Sequence, residues 1–328
     1  MRVLAALDKF RGTATAREAC AAVGHACWEL GFECDEVPMA DGGEGTLDVL
    51  GGANRTNRVT GPLGDPVDAQ WRLSRDVAII EMARASGLQL VGGPERNDAV
   101  AASTTGTGEL IDIALDAGAK KIIVCLGGSA TTDGGYGAVR AIHAPARLKA
   151  VEFIVACDVT TMFTDAARVF APQKGAKPKQ VELLTGRLER LRQLYIEQYG
   201  IDVGTVEGSG AAGGLAGGLA ALGAQILPGF DVVADEANLD ERVENADIVI
   251  TGEGFLDAQS FEGKVVGGMQ GIARAKNKQF AAIVGDSDIA VDFPVANLTA
   301  LYGLDEATGK TRTSIERATT KLLRRLTT

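Results

Sequence analysis

The chain has 328 residues, 46% of them hydrophobic, and a formal net charge of −10 with a pI near 4.9. One core rarely fills more than about 250–300 residues, so two domains are expected, and the acidity excludes a general nucleic-acid binder: any anion site must be local. Five cysteines without paired metal-ligand spacing, and only His25 and His143 beside them, argue against a disulfide framework or a zinc centre and for a reducing, cytoplasmic compartment.

In chain order, Arg2–Leu7 predicts a strand, too short and too soon followed by Asp8 to be a signal segment. Thr15 and Glu18 have capping-box spacing and open a helix with Val23, Cys27 and Leu30 on its buried face, closed by Gly31. Cys34–Met39 predicts a second strand, and the loop from Ala40 to Thr46 leads into a helix through Leu47 and Leu50. This βαβα order is that of a parallel sheet. Pro66–Ser74 and Val77–Met82 suggest a hairpin, Thr105–Ala117 a helix, Lys121–Cys125 and Phe153–Cys157 buried strands, and Gln180–Tyr199 an amphipathic helix. The stretch from Gly208 to Phe230 is too rich in glycine and alanine to span a membrane. Toward the end, Asp247–Thr251 reads as a strand, Lys264–Ala275 as a helix, Phe280–Val284 and Leu298–Tyr302 as strands, and Ser314–Leu326 as a helix.

The same βα pattern occupies both ends and a different texture fills the middle. The expected fold class is therefore α/β, with two different α/β domains: a flavodoxin- or Rossmann-like parallel-sheet domain from residues 1–61 plus 245–328, and an α/β domain inserted at 62–244.

Between Ile122 and Gly137 an apolar strand runs into a loop of glycines, hydroxyls and one carboxylate. Gly127, Gly128, Gly134 and Gly135 permit close backbone approach to an anion, Ser129, Thr131 and Thr132 add hydroxyl donors, and Asp133 is suited to the Mg²⁺ that accompanies a nucleotide phosphate. A strand ending in a tight turn has the same composition, so both readings stand for this stretch alone. Gly208-Ser-Gly-Ala-Ala-Gly213 satisfies the dinucleotide fingerprint, with Asp231 near the ribose-ligand spacing, but Ile201–Val206 is a poor strand and the glycines continue to Gly218. Helix packing or a substrate-facing loop is expected there. Gly309-Lys310-Thr311 and Gly263-Lys264 both lack the first glycine of a phosphate loop. Lys264 opposes the dipole of the helix it opens unless an anion is shared between them. Asp8, Asp41, Glu44, Asp158, Glu253 and Asp257 follow strands, on the side of an α/β sheet where ligands bind.

The ordered segments Asp8-Lys-Phe-Arg-Gly-Thr13, Ala40-Asp-Gly-Gly-Glu-Gly-Thr46, Ile80-Glu-Met-Ala-Arg-Ala-Ser-Gly-Leu88, Leu126-Gly-Gly-Ser-Ala-Thr-Thr-Asp-Gly-Gly135, Pro172-Gln-Lys-Gly-Ala176 and Ile250-Thr-Gly-Glu-Gly254 resemble the type I glycerate kinases, and the resemblance covers almost the whole chain. It implies one flavodoxin-like and one different α/β domain, one inserted in the other, and phosphorylation of glycerate dependent on ATP and Mg²⁺. It leans to the 2-hydroxyl, with the 3-hydroxyl or a related hydroxy acid as the alternative. On this resemblance Asp158 is the candidate general base with Asp41 second, and Gly127, Gly128, Ser129, Thr131, Thr132, Gly134 and Gly135 hold phosphates together with Lys264. Asp133 or Glu253 serves Mg²⁺, Arg11 and Lys174 grip the glycerate carboxylate or the transferred phosphoryl group, and Asp8 and Glu44 complete the substrate set. Lys9 and Phe255 depart from the family pattern, which usually has serine and arginine there, and the segment 137–150 is shorter. The rival classes are a nicotinamide oxidoreductase built on Gly208–Gly213 and a non-catalytic sugar-acid or nucleotide sensor. The expected partners are glycerate and ATP, with no nucleic acid and no membrane.

Overall fold

The computed structural model describes residues 1–10 and 12–327. Its strands are β1 (Arg2–Leu7), β2 (Glu33–Glu36), β3 (Arg55–Thr60), β4 (Pro66–Ser74), β5 (Val77–Glu81), β6 (Lys121–Cys125), β7 (Glu152–Cys157), β8 (Gln225–Pro228), β9 (Ile248–Leu256), β10 (Gln279–Ser287) and β11 (Val295–Asn297). Two compact units result, one of Met1–Asp41 with Gly229–Thr328 and one of Gly42–Pro228.

The first unit holds a parallel sheet in the order β11-β10-β9-β1-β2. Numbered within this unit alone, that is the 2-1-3-4-5 order of flavodoxin-like sheets, whose direction of winding reverses between β1 and β9. Val3 to Leu7 are all fully buried, as an unbroken apolar run in a central parallel strand should be. Helix Ala16–Glu29 begins at Thr15, whose Oγ1 accepts from Glu18 N at 3.2 Å while the Glu18 carboxylate accepts from Thr15 N at 3.0 Å. Its buried Val23 and Cys27 share one core with Ile315, Ala318 and Leu322 of helix Thr311–Leu326.

One predicted strand is a helix. Leu298–Tyr302 is helical because Asn297 Oδ1 accepts from Ala300 N at 2.9 Å; this cap overrides the apolar run, and the strand is the preceding β11.

The second unit has a six-stranded sheet, β3-β4-β5-β6-β7-β8, antiparallel from β3 to β5 and parallel from β5 to β8. Its main core gathers Trp71, Ile80, Leu110, Val124, Val155 and Leu215, and a second cluster joins Phe163, Leu188 and Tyr195. The units divide at 41/42 and 228/229, whereas the sequence reading divided them at 61/62 and 244/245. Two contacts account for the difference: β3 pairs with β4, and Phe230 of helix Gly229–Glu236 packs on Gly268 of helix Val265–Ala275. Among the described residues, no helix is long and apolar enough to cross a membrane.

Candidate active site

In the first unit, β1 and β9 run in register with Leu7 beside Gly252, so Asp8, just past the carboxyl end of β1, stands beside Glu253, which lies within β9 because that strand runs on to Leu256 rather than ending at Thr251; Asp8 N donates to Gly252 O at 2.8 Å. This is the switch point of the sheet, where a crevice for ligands opens. Asp41 and Lys264 lie close enough to act on Asp8 electrostatically. Burial pushes Asp8 up to about 6, the Asp41 carboxylate adds to the rise, and Lys9 and Lys264 oppose it. Burial also pushes Glu253 up to about 7; the Ser260 hydroxyl and Lys264 oppose this, while Asp8 and Asp257 reinforce it. Glu253 Oε1 is buried with no hydrogen-bond partner, so an electron-pair donor is available there.

Lys264 takes the N-cap position of helix Val265–Ala275 without a capping side chain, and no acidic residue stands in that first turn. The neighbouring Asp8 and Glu253 supply the negative charge that a cation at a helix N-terminus lacks. Asp257 is a turn cap, accepting from Ser260 N at 3.1 Å. Arg11 lies outside the described residues.

In the second unit the loop after β6 is built from its glycines outward. Gly128, Gly134 and Gly135 have φ of 60°, 66° and 74°, the left-handed region that other residues avoid; Gly127 does not share it. The loop has two halves with different tasks. Ala130 N donates to Ser86 O at 3.0 Å, Gly134 N to Gly213 O at 3.0 Å and Gly135 N to Asp133 Oδ1 at 3.1 Å, so these amides are spent on the fold. Gly134 faces Leu188 and Phe163, and Gly135 faces Gly218 and Leu215, which makes both packing glycines. The opening half faces Glu44: a Cβ on Gly128 would collide with Glu44 Oε1.

Asp133 was assigned to a metal by its residue type, and its surroundings give it another task. Its Oδ2 accepts from Thr104 N at 2.9 Å, Thr104 Oγ1 at 2.8 Å and Gly137 N at 3.1 Å. An oxygen with three donors is occupied in holding two helix starts together.

Beneath the loop, the buried Lys174 Nζ donates to Ser129 Oγ at 2.7 Å and Thr131 O at 2.6 Å. Burial pushes its ammonium down to about 7, with Asp133 acting the other way. Thr131 Oγ1, Thr132 Oγ1 and Ser209 Oγ are buried without hydrogen-bond partners. Asp158 follows β7, next to the buried Cys157.

Two residues escaped the sequence reading. Glu81, 3% exposed, accepts from Gly45 N and Leu47 N at 2.8 Å each and from Arg84 Nε at 3.1 Å, and so fixes the loop bearing Glu44. It ends β5 as Asp8 follows β1, a signal that was readable. Asn97 Nδ2 donates to Ala130 O and Lys174 O at 2.9 Å each, with its Oδ1 buried and unpartnered; nothing in the sequence marked it. The end of the Gly208–Gly213 run packs closely on the loop after β6: Gly213 abuts Thr131 O, and Gly218 beyond it abuts Gly134 O.

A family model described as the Glycerate kinase family matches residues 3–144 and 142–328. The chain is similar to glycerate 2-kinase of Escherichia coli K12, at 37% identity over 355 aligned positions spanning 94% of this chain and 93% of that one. It is similar to glycerate kinase of Halalkalibacterium halodurans, at 35% identity with 96% of each chain covered. A crystal structure from Salmonella typhimurium LT2, provisionally described as glycerate kinase 2, superposes with a TM-score of 0.85 at 34% identity, covering 100% of both chains.

Proposed function

Because the chain belongs to the glycerate kinase family, we propose that it transfers the γ-phosphoryl group of ATP to the 2-hydroxyl of D-glycerate, giving 2-phosphoglycerate. The observation that carries the phosphate part of this reading is the buried Lys174 beneath a loop whose Thr131 and Thr132 hydroxyls have no partner. A cation and spare donors under a backbone that only glycine can follow are what a phosphate needs. The choice of the 2-hydroxyl leans on the similarity to the E. coli enzyme named glycerate 2-kinase.

The donor set fits Mg²⁺ in part. Glu253, with its buried unpartnered Oε1, would hold it, and Asp133, with Oδ2 saturated, would not. When bound, Mg²⁺ neutralises charge on the phosphate oxygens. The protein residues position and desolvate the reactants. Lys264 is drawn toward Asp8 and Glu253, Asp8 joins the substrate set, and Asp158 is the proposed base for the acceptor hydroxyl, with Asp41 second.

Coupling the reaction to enolase tests the regiochemistry. Immediate signal on adding ATP and glycerate is expected; signal that appears only with added phosphoglycerate mutase assigns the 3-hydroxyl, and no ATP consumption rejects the kinase reading. In Asp158→Asn, turnover should fall by at least about 100-fold with glycerate binding retained; loss of both, or of neither, removes Asp158 as base.

A further inference from the structure

Helices Ala16–Glu29 and Thr311–Leu326 are joined by the buried core of Val23, Cys27, Ile315, Ala318 and Leu322, and the outer side of their seam carries His25, Glu29 and Glu316. His25 and Glu29 stand four positions apart and so share one helix face. Glu316 reaches across from the other helix, its Oε1 3.0 Å from His25 Nδ1. One donor atom from each of the three residues lies within 4.8 Å of the other two.

Two carboxylates share the seam with a single imidazole. Glu29 lies in the last turn of its helix, which contains no basic residue, so a carboxylate adds to the negative end of the helix dipole. Glu29 and Glu316 repel each other at this separation, and among the described residues neither forms an ion pair with a lysine or arginine. The donors are one imidazole nitrogen and two carboxylate oxygens. Mg²⁺ and Ca²⁺ favour oxygen alone, whereas Zn²⁺, Ni²⁺, Co²⁺ and Cu²⁺ accept this mixture. The two helices are held by their core, so the ligands are presented from a rigid scaffold.

We propose that His25, Glu29 and Glu316 form a site for one divalent transition-metal ion, completed by water, that ties the first helix of the chain to the last. Occupancy stabilises the folded state by mass action. The site shares no residue with the proposed kinase machinery, so the two readings stand or fall separately.

Trp28 supplies the readout. It is 75% exposed with its ring 5.9 Å from that of His25, whereas the other tryptophan, Trp71, is 1% exposed. Titrating the full chain with NiCl2 should quench tryptophan emission saturably with one ion per chain, and Zn²⁺ should reverse the quench by competition. His25→Ala and Glu316→Gln should each weaken Ni²⁺ binding by more than the roughly tenfold that even a residue supporting a ligand is worth. Circular dichroism of these surface variants checks that they remain folded. Absence of a saturable quench, or an equal quench in either variant, overturns the three-ligand site and leaves adventitious binding only.

Discussion

Lys174 is a buried ammonium whose hydrogen bonds, among the described residues, go to a hydroxyl and a carbonyl. Its ordinary value of 10.5 falls to about 7 in the folded chain, so between those values the unfolded chain binds the extra proton. Stability from this group therefore rises with pH across that window, is complete above about 10.5, and is lost as pH falls through about 7. At about 1.4 kcal/mol per pKa unit, the effect is bounded at about 5 kcal/mol. Lys174→Met should flatten the rise: the difference in urea midpoint between pH 7 and pH 10 should shrink relative to the parent, and an unchanged slope would remove Lys174 as its source. Asp133 and Glu253 separate in the same way. Asp133→Asn should lower stability by about 1–3 kcal/mol, because a buried donor loses its acceptor, while the Mg²⁺ concentration for half-maximal activity stays put. Glu253→Gln should raise that concentration with little loss of melting temperature. The sequence made the residue types at 133, 174 and 253 legible, and the number of donors already attached to each was not. For Asp133 that number depends on Thr104, which lies 29 positions away in the chain.

At the scale of elements, the glycines of helix Ala211–Ala221 set how closely the cradle loop can pack. Gly218 abuts Gly134 O and Gly135 Cα, both backbone, whereas Gly186 in helix Pro178–Tyr199 has nothing within 4 Å of where a Cβ would be. Gly218→Ala should cost about 1–3 kcal/mol through overpacking. Gly186→Ala should gain about 0.5–1 kcal/mol through helix propensity alone. Thermal unfolding of the pair checks both signs, and a neutral Gly218→Ala would mean that the loop yields. Helices with caps and strands with unbroken apolar runs were readable, as Thr15 with Glu18 and Val3–Leu7 illustrate. Leu298–Tyr302 was misread because five apolar and small residues suit either form and the decision lay with Asn297. β3 was missed because an edge strand of Arg55-Thr-Asn-Arg-Val-Thr60 carries little apolar signal.

At the scale of the whole chain, Gly42–Pro228 is continuous in sequence and has its own sheet and its own buried clusters. Expressed alone, it should give a mixed α/β dichroism spectrum and a cooperative melt; a disordered spectrum would show that it depends on the remainder. The alternation of strand and helix predicted the α/β class from residue patterns alone. The 2-1-3-4-5 order did not follow from them, since strands as alike as β1 and β9 carry no label for their neighbours.

That order has a consequence in time. β1 lies between β2 and β9, and synthesis delivers β2 promptly but β9 only after the whole of Gly42–Pro228 has been made. At ribosomal speeds the interval is roughly ten to forty seconds. Through it, one edge of a strand that is apolar from Val3 to Leu7 waits in the nascent chain without its partner, a template for the wrong pairing. The intervening segment can complete its own sheet during the wait. A strand made before the intervening unit is thus enclosed only after it, and the synthesis of this enzyme is most exposed to aggregation while β1 waits for β9.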